Sequence, residues 1–431
     1  MENVVSNLIG DVEIPRMFKV RQLFDDAHIA PEEIPGLMER SLEQEQFASR
    51  IKPGMRIAIT CGSRQIANLV AITKSIVSFV RKKGGSPFVV ASMGSHGGAT
   101  SEGQRKILRA LGVTEESVGC PIETDMDVVK IGCSDDGRDV FIDRRAAEAD
   151  GIIVSCRIKP HTNFRGAYES GIMKMMAIGL GKQVGAGQCH ADGYGRMAEN
   201  IPRFGRTILA NANILFAVAA IENAYDETAE IAVLDRDEIE EEEPKLLERA
   251  KALIPKILVP ECDVLIVDQI GKNFSGSGMD PNITGTFLTP YASGGIKNKR
   301  VAVLDMSDES CHSGVGIGMA HATTRRFFEK MDFAQTYPNL ITTKMIENAR
   351  IPVIMENDRE AIQVCIKTLT DADRDHLRVV RIPNSLNIRK IWLSEAYYEE
   401  AKANKALALE SEPEEMKFDD SGNLTDLGYV R

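Results

Sequence analysis

The chain lacks any CxxC pair. Its eight cysteines stand alone at positions 61, 120, 133, 156, 189, 262, 311 and 365, and those in apolar runs suit the role of small buried hydrophobes. That usage excludes a disulfide framework and points to the reducing cytoplasm. HExxH and finger-spaced Cys/His quartets are missing too, so no zinc signature is present. No apolar run reaches the roughly 18 residues that a membrane span needs. The start, MENVVSNLIGDVEIPR, is acidic and without the apolar core of a signal peptide. Aromatics are scarce at 6%, and acidic residues outnumber basic ones by 63 to 52, a net charge of −11. With no basic stripe interleaved with aromatics, neither nucleic acid nor membrane is an expected partner, whereas a local positive pocket for a small anion is compatible with this composition.

What is present describes a soluble α/β protein. An apolar content of 43% and a charged content of 27% are ordinary for a globular chain, and 431 residues exceed one typical core. The strand Arg56–Cys61 leads through Gly62-Ser63-Arg64 into an amphipathic helix ending near Lys82. A second strand, Pro87–Met93, leads through Gly94-Ser-His-Gly-Gly-Ala-Thr100 into a second helix, with Ser101 as its expected cap and Gln104 placed for a capping box. Strand–loop–helix repetition is the grammar of an open parallel sheet, on which ligands bind beyond the carboxyl ends of the strands. A fresh α/β pattern begins with Cys262–Asp268 and Arg300–Asp305. The expectation is two Rossmann-like α/β lobes, residues 1–258 and 259–431, with the active site in the cleft between them. Val12–Pro15 reads as a short strand or ribbon, Asp235–Glu243 as a solvated acidic helix start or loop, 393–405 as a last helix, and the tail from Glu410 as partly disordered.

The stretch Ile158–His190 stands out. Glycines 166, 171, 179, 181, 185 and 187 let backbone approach a bound group, and His161 and His190 flank Lys174, which sits alone among Ile172, Met173, Met175 and Met176. Such a lysine either snorkels or loses its hydration; in the second case its pKa falls and its amine becomes available for covalent attachment. His96, in a glycine-rich loop before a helix, suits acid–base work near neutral pH, against the alternative of a surface histidine. Arg64, after a strand, suits an anion clamp, against the alternative of a solvated arginine. Gly314-Val-Gly-Ile-Gly318 lacks the third glycine of a dinucleotide fingerprint, since Met319 stands there.

Taken in order, Gly62-Ser-Arg64, Gly94-Ser-His96, Pro160-His161, Ser170-Gly-Ile-Met-Lys174 and His190 resemble the lactate racemase family, nickel-pincer enzymes that racemise or epimerise 2-hydroxy acids. The resemblance implies a lysine-tethered nickel-pincer nucleotide made by cofactor-biosynthesis proteins. It implies Lys174 as the tether, His190 as the nickel ligand, His96 and His161 as the acid–base pair, and Arg64 on the substrate carboxylate or cofactor phosphate. Lactate racemase has an acidic residue three positions before the arginine, where Cys61 stands here, and smaller or basic residues where Ile172 and Met173 stand. These departures bear on the substrate more than the chemistry. The loop Gly271–Asp280 is expected to bring Lys272 and Asn273 to the substrate. Two other readings remain open: a non-catalytic anion- or metabolite-binding protein on the same scaffold, and a conventional NAD-dependent dehydrogenase.

Overall fold

The computed structural model describes residues 4–427, apart from the side chain of Thr342. The chain forms two compact units, Asp25–Ile254 and a second made of Met1–Phe24 with Pro255–Arg431. Both are α/β, as the strand–helix alternation predicts. Among the described residues no helix is long and apolar enough to cross a membrane.

The unit Asp25–Ile254 is built on a six-stranded sheet. Across the sheet the order is Ile122–Glu123, Ser86–Ala91, Arg56–Cys61, Gly151–Arg157, Ile214–Glu222 and Thr228–Asp235. The first five are parallel and the last is antiparallel. Parallel strands are covered on both faces and so read as unbroken apolar runs; Ile214–Glu222 is buried at every position but its last. The pleat divides these residues between two cores. Ala58, Val90 and Ile152 pack with Met173, Met176 and Phe204 on one face. Ile57, Ile59 and Val89 pack with Ile72 and Ile76 of the helix Leu69–Lys82 on the other. The carboxyl ends of Arg56–Cys61, Ser86–Ala91 and Gly151–Arg157 run into the segments that carry Arg64, His96 and His161.

The other unit holds an eight-stranded sheet in the order Val353–Met355, Ala322–Thr324, Lys297–Met306, Glu261–Ile270, Val379–Ile382, Lys390–Ser394, Met17–Gln22, Leu407–Leu409. The first five strands are parallel; the rest are antiparallel. The N-terminal strand is thus inserted near the C-terminal edge: Val20 faces Ile391 on one side and Leu409 on the other. Phe18 and Val20 are fully buried. Residues 4–24 therefore fold with the C-terminal half, which a division at 258/259 does not provide for. The N-terminal strand also starts at Met17, with a helix at Val4–Ile9 before it, so Val12–Pro15 is not a strand.

Two more expectations are corrected here. Residues 393–405 begin in the strand Lys390–Ser394, and the helix is only Tyr398–Ala403. The tail is ordered as far as residue 427: Glu414 bridges Met17, Phe418 bridges Leu424, and Leu424 is buried. Its few apolar residues and two backbone bridges suffice to pin an otherwise polar segment. The last residues of the expected disordered tail, 428–431, lie outside the described residues.

Candidate active site

The loop Gly94–Thr100 is shaped by positive φ at Gly94, Gly97 and Gly98. A Cβ on Gly97 would collide with the backbone of Gly103 and Gln104, so glycine is required there. Thr100, not Ser101, caps the helix Ser101–Ala110, its hydroxyl accepting the Gly103 N–H at 3.1 Å. Gln104 forms no capping box. Its buried amide donates to the carbonyls of Gly94 at 3.0 Å and His96 at 3.3 Å. Behind it the fully buried Lys182 donates to Ala91 O at 2.5 Å and Gln104 Oε1 at 3.3 Å, and lies 3.0 Å from Asp143 Oδ2. Lys182, Asp143 and Gln104 thus brace the His96 loop from within. The His96 ring itself is held at Nδ1 by the Ser63 hydroxyl, from the loop that carries Arg64.

The segment after Gly151–Arg157 folds back on itself through a bridge between Lys159 and Ser170. Glu169, fully buried, accepts the His161 backbone N–H at 2.7 Å and pairs with Arg165 at 3.3 Å and Lys251 at 3.0 Å. Asn163 donates its backbone N–H to His161 Nδ1 at 3.1 Å, which leaves the proton of the neutral ring on Nε2. The His161 ring lies 4.4 Å from that of Phe164 and 6.0 Å from that of Tyr194, and Tyr194 is 5.8 Å from His190. Tyr194 therefore stands between the two histidines. Lys174 ends a short α-helix, Ile172–Lys174, that passes into a π-helical stretch, Met175–Leu180, a conformation frequent at functional sites. The helix Lys182–Cys189 follows, and His190 is its C-terminal cap.

The acidic run does not lie wholly in solvent. It starts the helix Ile239–Leu253, and Glu243 is 1% exposed. Its Oε2 accepts the Met173 N–H at 2.9 Å, and the Ile172 N–H bonds to the same carboxyl. Helical spacing within the four consecutive glutamates Glu240–Glu243 could have placed one of them on the buried face with Ile239, Leu246 and Leu247; composition alone hid it.

Electrostatics join the predicted residues. Desolvation lowers the His96 pKa to about 4, and the charges of Arg64 and Lys174 add to the effect. His96 is nonetheless exposed to solvent, so the neighbouring charges of Arg64 and Lys174 are the firmer cause of this preference for the neutral form. His161 is pushed well below the ordinary histidine range by desolvation, then by Lys174, Lys159, His190 and Arg165. Lys174 falls to about 8, through desolvation and then the charges of Lys159 and Arg64. Arg64 is exposed to solvent, as the solvated alternative has it, although its surroundings lower it by desolvation and then by the charge of Arg157. Arg64 and Lys174 form no hydrogen bond or ion pair among the described residues. Cys189, beside His190, is buried, and desolvation raises its thiol to about 12, so it is held protonated. Cys61 is likewise raised to about 12.

Arg64, His96, His161, Lys174 and His190 thus belong to one electropositive site within the unit Asp25–Ile254. Lys272 and Asn273 belong to the other unit. There Asn273 Oδ1 accepts the Ser307 hydroxyl at 2.6 Å, which ties this residue to the loop's own structure. The glycines of Gly314–Gly318 have packing duties: a Cβ on Gly316 would strike Ser277 O, and one on Gly318 would strike Glu347 O.

Comparison with known proteins agrees with the ordered motifs. Residues 10–196 match the family model of the lactate racemase N-terminal domain. Among solved structures, the lactate racemase apoprotein from Thermoanaerobacterium thermosaccharolyticum is 13% identical, the match covering 66% of this chain and 74% of that one, with a TM-score of 0.45. A crystal structure of a Thermotoga maritima protein is 10% identical over 76% of this chain and 83% of that one, with a TM-score of 0.48. No curated protein matches. Residues 10–196, which hold the three strands ending at the site and all five of its predicted residues, are thus similar to the lactate racemase N-terminal domain.

Proposed function

We propose that this protein is an isomerase that inverts the C2 carbon of a 2-hydroxy acid by proton-coupled hydride transfer, with a nickel-pincer nucleotide tethered to Lys174. The Lys174 amine carries this reading. It lies among Arg64 and Lys159 with a pKa of about 8, and it forms no hydrogen bond or ion pair among the described residues. A lysine in that state is a nucleophile near neutral pH, as a covalent tether requires. Among the described residues no three His, Cys, Asp or Glu side chains are grouped to hold a metal by themselves. His190 would accordingly be one imidazole donor beside the cofactor's own carbon and sulfur donors, a donor set that suits nickel. When bound, the nickel-pincer nucleotide supplies an electron-poor ring that accepts and returns a hydride.

The chain's own residues supply the proton chemistry and the grip. The hydrogen beside an alcohol and a carboxylate is a very poor acid, so inversion is easier when the hydroxyl proton leaves to a base as C2 loses hydride. The oxidised substrate is planar at C2, and hydrogen can return to either face. Two histidines, one for each orientation, meet that need. Both are held neutral by their surroundings. The Ser63 hydroxyl occupies His96 Nδ1 and leaves Nε2 for substrate, while His161 Nε2 carries its ring's proton in the state described. His161 is therefore set as donor for one direction; His96 is the acceptor when its own ring proton lies on Nδ1, donated to the Ser63 oxygen, and the roles exchange for the other direction. Arg64 holds the substrate carboxylate or the cofactor phosphate. Proteins that make and load the cofactor are the expected partners, and the cytoplasm is the compartment that suits eight unpaired cysteines.

The test is a panel of single-enantiomer 2-hydroxy acids, spanning lactate, dicarboxylates, aromatic and sugar acids, offered to protein co-expressed with the cofactor-making proteins. Chiral chromatography should show inversion of one class, and a C2-deuterated substrate in ordinary water should keep its label. Binding without inversion of any acid would favour the metabolite-binding alternative, and wash-out of the label would replace hydride transfer by deprotonation.

A further inference from the structure

We infer that Glu243 is a positioning residue for Lys174: its carboxyl fixes the first turn of the helix that presents the amine. The inference rests on the proposed role of Lys174 for its functional meaning, and on geometry alone for its structural content. Glu243 belongs to the helix Ile239–Leu253 and lies some seventy residues beyond the segment it holds. It takes the backbone N–H groups of Ile172 and Met173, donors that a helix start leaves without intrahelical partners. No side chain of the segment itself performs this task, because the residue at the cap is Gly171.

Gly171 makes the contact sterically possible. Its backbone is extended, a conformation any residue adopts. A Cβ there, however, would overlap Glu243 Oε1. The glycine read in the sequence as room for a ligand is filled instead by this carboxyl. The donor helix is registered independently of Glu243: Lys251, two turns on, reaches Glu169, which in turn accepts the His161 N–H, and the Tyr168 hydroxyl donates to Glu240 O at 2.7 Å. One helix thereby braces the backbone at both His161 and Lys174, and Glu243 is the arm directed at the lysine.

The experiment uses the full chain without cofactor and reads Lys174 directly. Amines are labelled with a small acylating reagent across a pH series, and the rate at Lys174 is followed by peptide mass spectrometry. Wild-type protein should give a midpoint near pH 8. Glu243→Ala removes both acceptors, and Gly171→Ala drives the carboxyl away while keeping it. Both should raise the Lys174 midpoint by a unit or more toward the ordinary lysine value, with native far-ultraviolet dichroism. Glu243→Gln keeps one carbonyl acceptor and should restore most of the wild-type profile. Tyr168→Phe, which loosens the same helix without touching Glu243, should leave Lys174 unchanged. An unchanged profile in folded Glu243→Ala and Gly171→Ala, or an equal shift in Tyr168→Phe, would overturn the inference. Should the chain never acquire a cofactor, the reading of its function falls, yet the labelling result still decides the role of Glu243.

Discussion

A carboxyl buried without a cation alters how a protein responds to pH, and Glu243 is such a group. Desolvation raises its pKa to about 8, against the opposing pull of two backbone N–H groups. Between the ordinary carboxylate value of about 4.5 and 8, the folded chain keeps a proton that the unfolded chain releases. Stability from this group is complete below the lower value and is lost as pH rises toward the upper one, by up to about 5 kcal/mol. Lys174 works in the adjoining window: its pKa is lowered from 10.5 to about 8, so stability returns as pH rises from 8 to 10.5. Urea unfolding across pH 5–8 should therefore show wild-type stability falling with pH more steeply than that of Glu243→Gln. Parallel profiles would mean that Glu243 titrates normally. His96, His161 and Lys174 were legible at this scale because each is a polar residue set in a glycine-rich loop or an apolar run. Glu243, Glu169 and Lys182 were not. A charged residue in an acidic or glycine-rich stretch looks the same whether it turns inward or outward, and its partner lies far off in sequence.

Among elements, the loop carrying His96 depends on a buried ion pair more than on its own sequence. Lys182 adopts φ +52°, unusual for a residue with a Cβ, and spends its ammonium on Ala91, Gln104 and Asp143. Asp143 is raised by desolvation, a rise that Lys182 offsets. Lys182→Met should leave this carboxyl buried without its cation and cost about 3–5 kcal/mol in thermal or urea unfolding. Lys182→Met with Asp143→Asn should recover part of that loss. A single variant as stable as wild type would show that the pair does not hold the loop. The strands ending at the site could be read to within a residue or two, since doubly covered parallel strands are unbroken apolar runs. Elements further along were harder. The strand Ala322–Thr324 is too short to show a period of its own, and the π-helical turn after Lys174 has no sequence signature separating it from an α-helix.

At the scale of the whole molecule, the α/β class followed from alternation of strand and helix patterns, whereas the path of the chain did not. Met17–Gln22 enters a sheet whose other strands begin at Glu261, and antiparallel insertion between Lys390–Ser394 and Leu407–Leu409 joins segments almost four hundred residues apart. Local periodicity carries no information on such a pairing. The site is simpler in this respect, because its five predicted residues fall within 64–190 and within one unit. The claim that unifies them is that Lys174 is the point of attachment for a nickel-bearing cofactor. The measurement that tests it most directly is the intact mass, with nickel analysis, of the chain co-expressed with the cofactor-making proteins. The account predicts a covalent adduct and bound nickel, with the adduct mapping to Lys174 and absent from a folded Lys174→Ala variant. An unmodified, nickel-free wild-type chain, obtained where a lactate racemase is loaded in parallel, would contradict it.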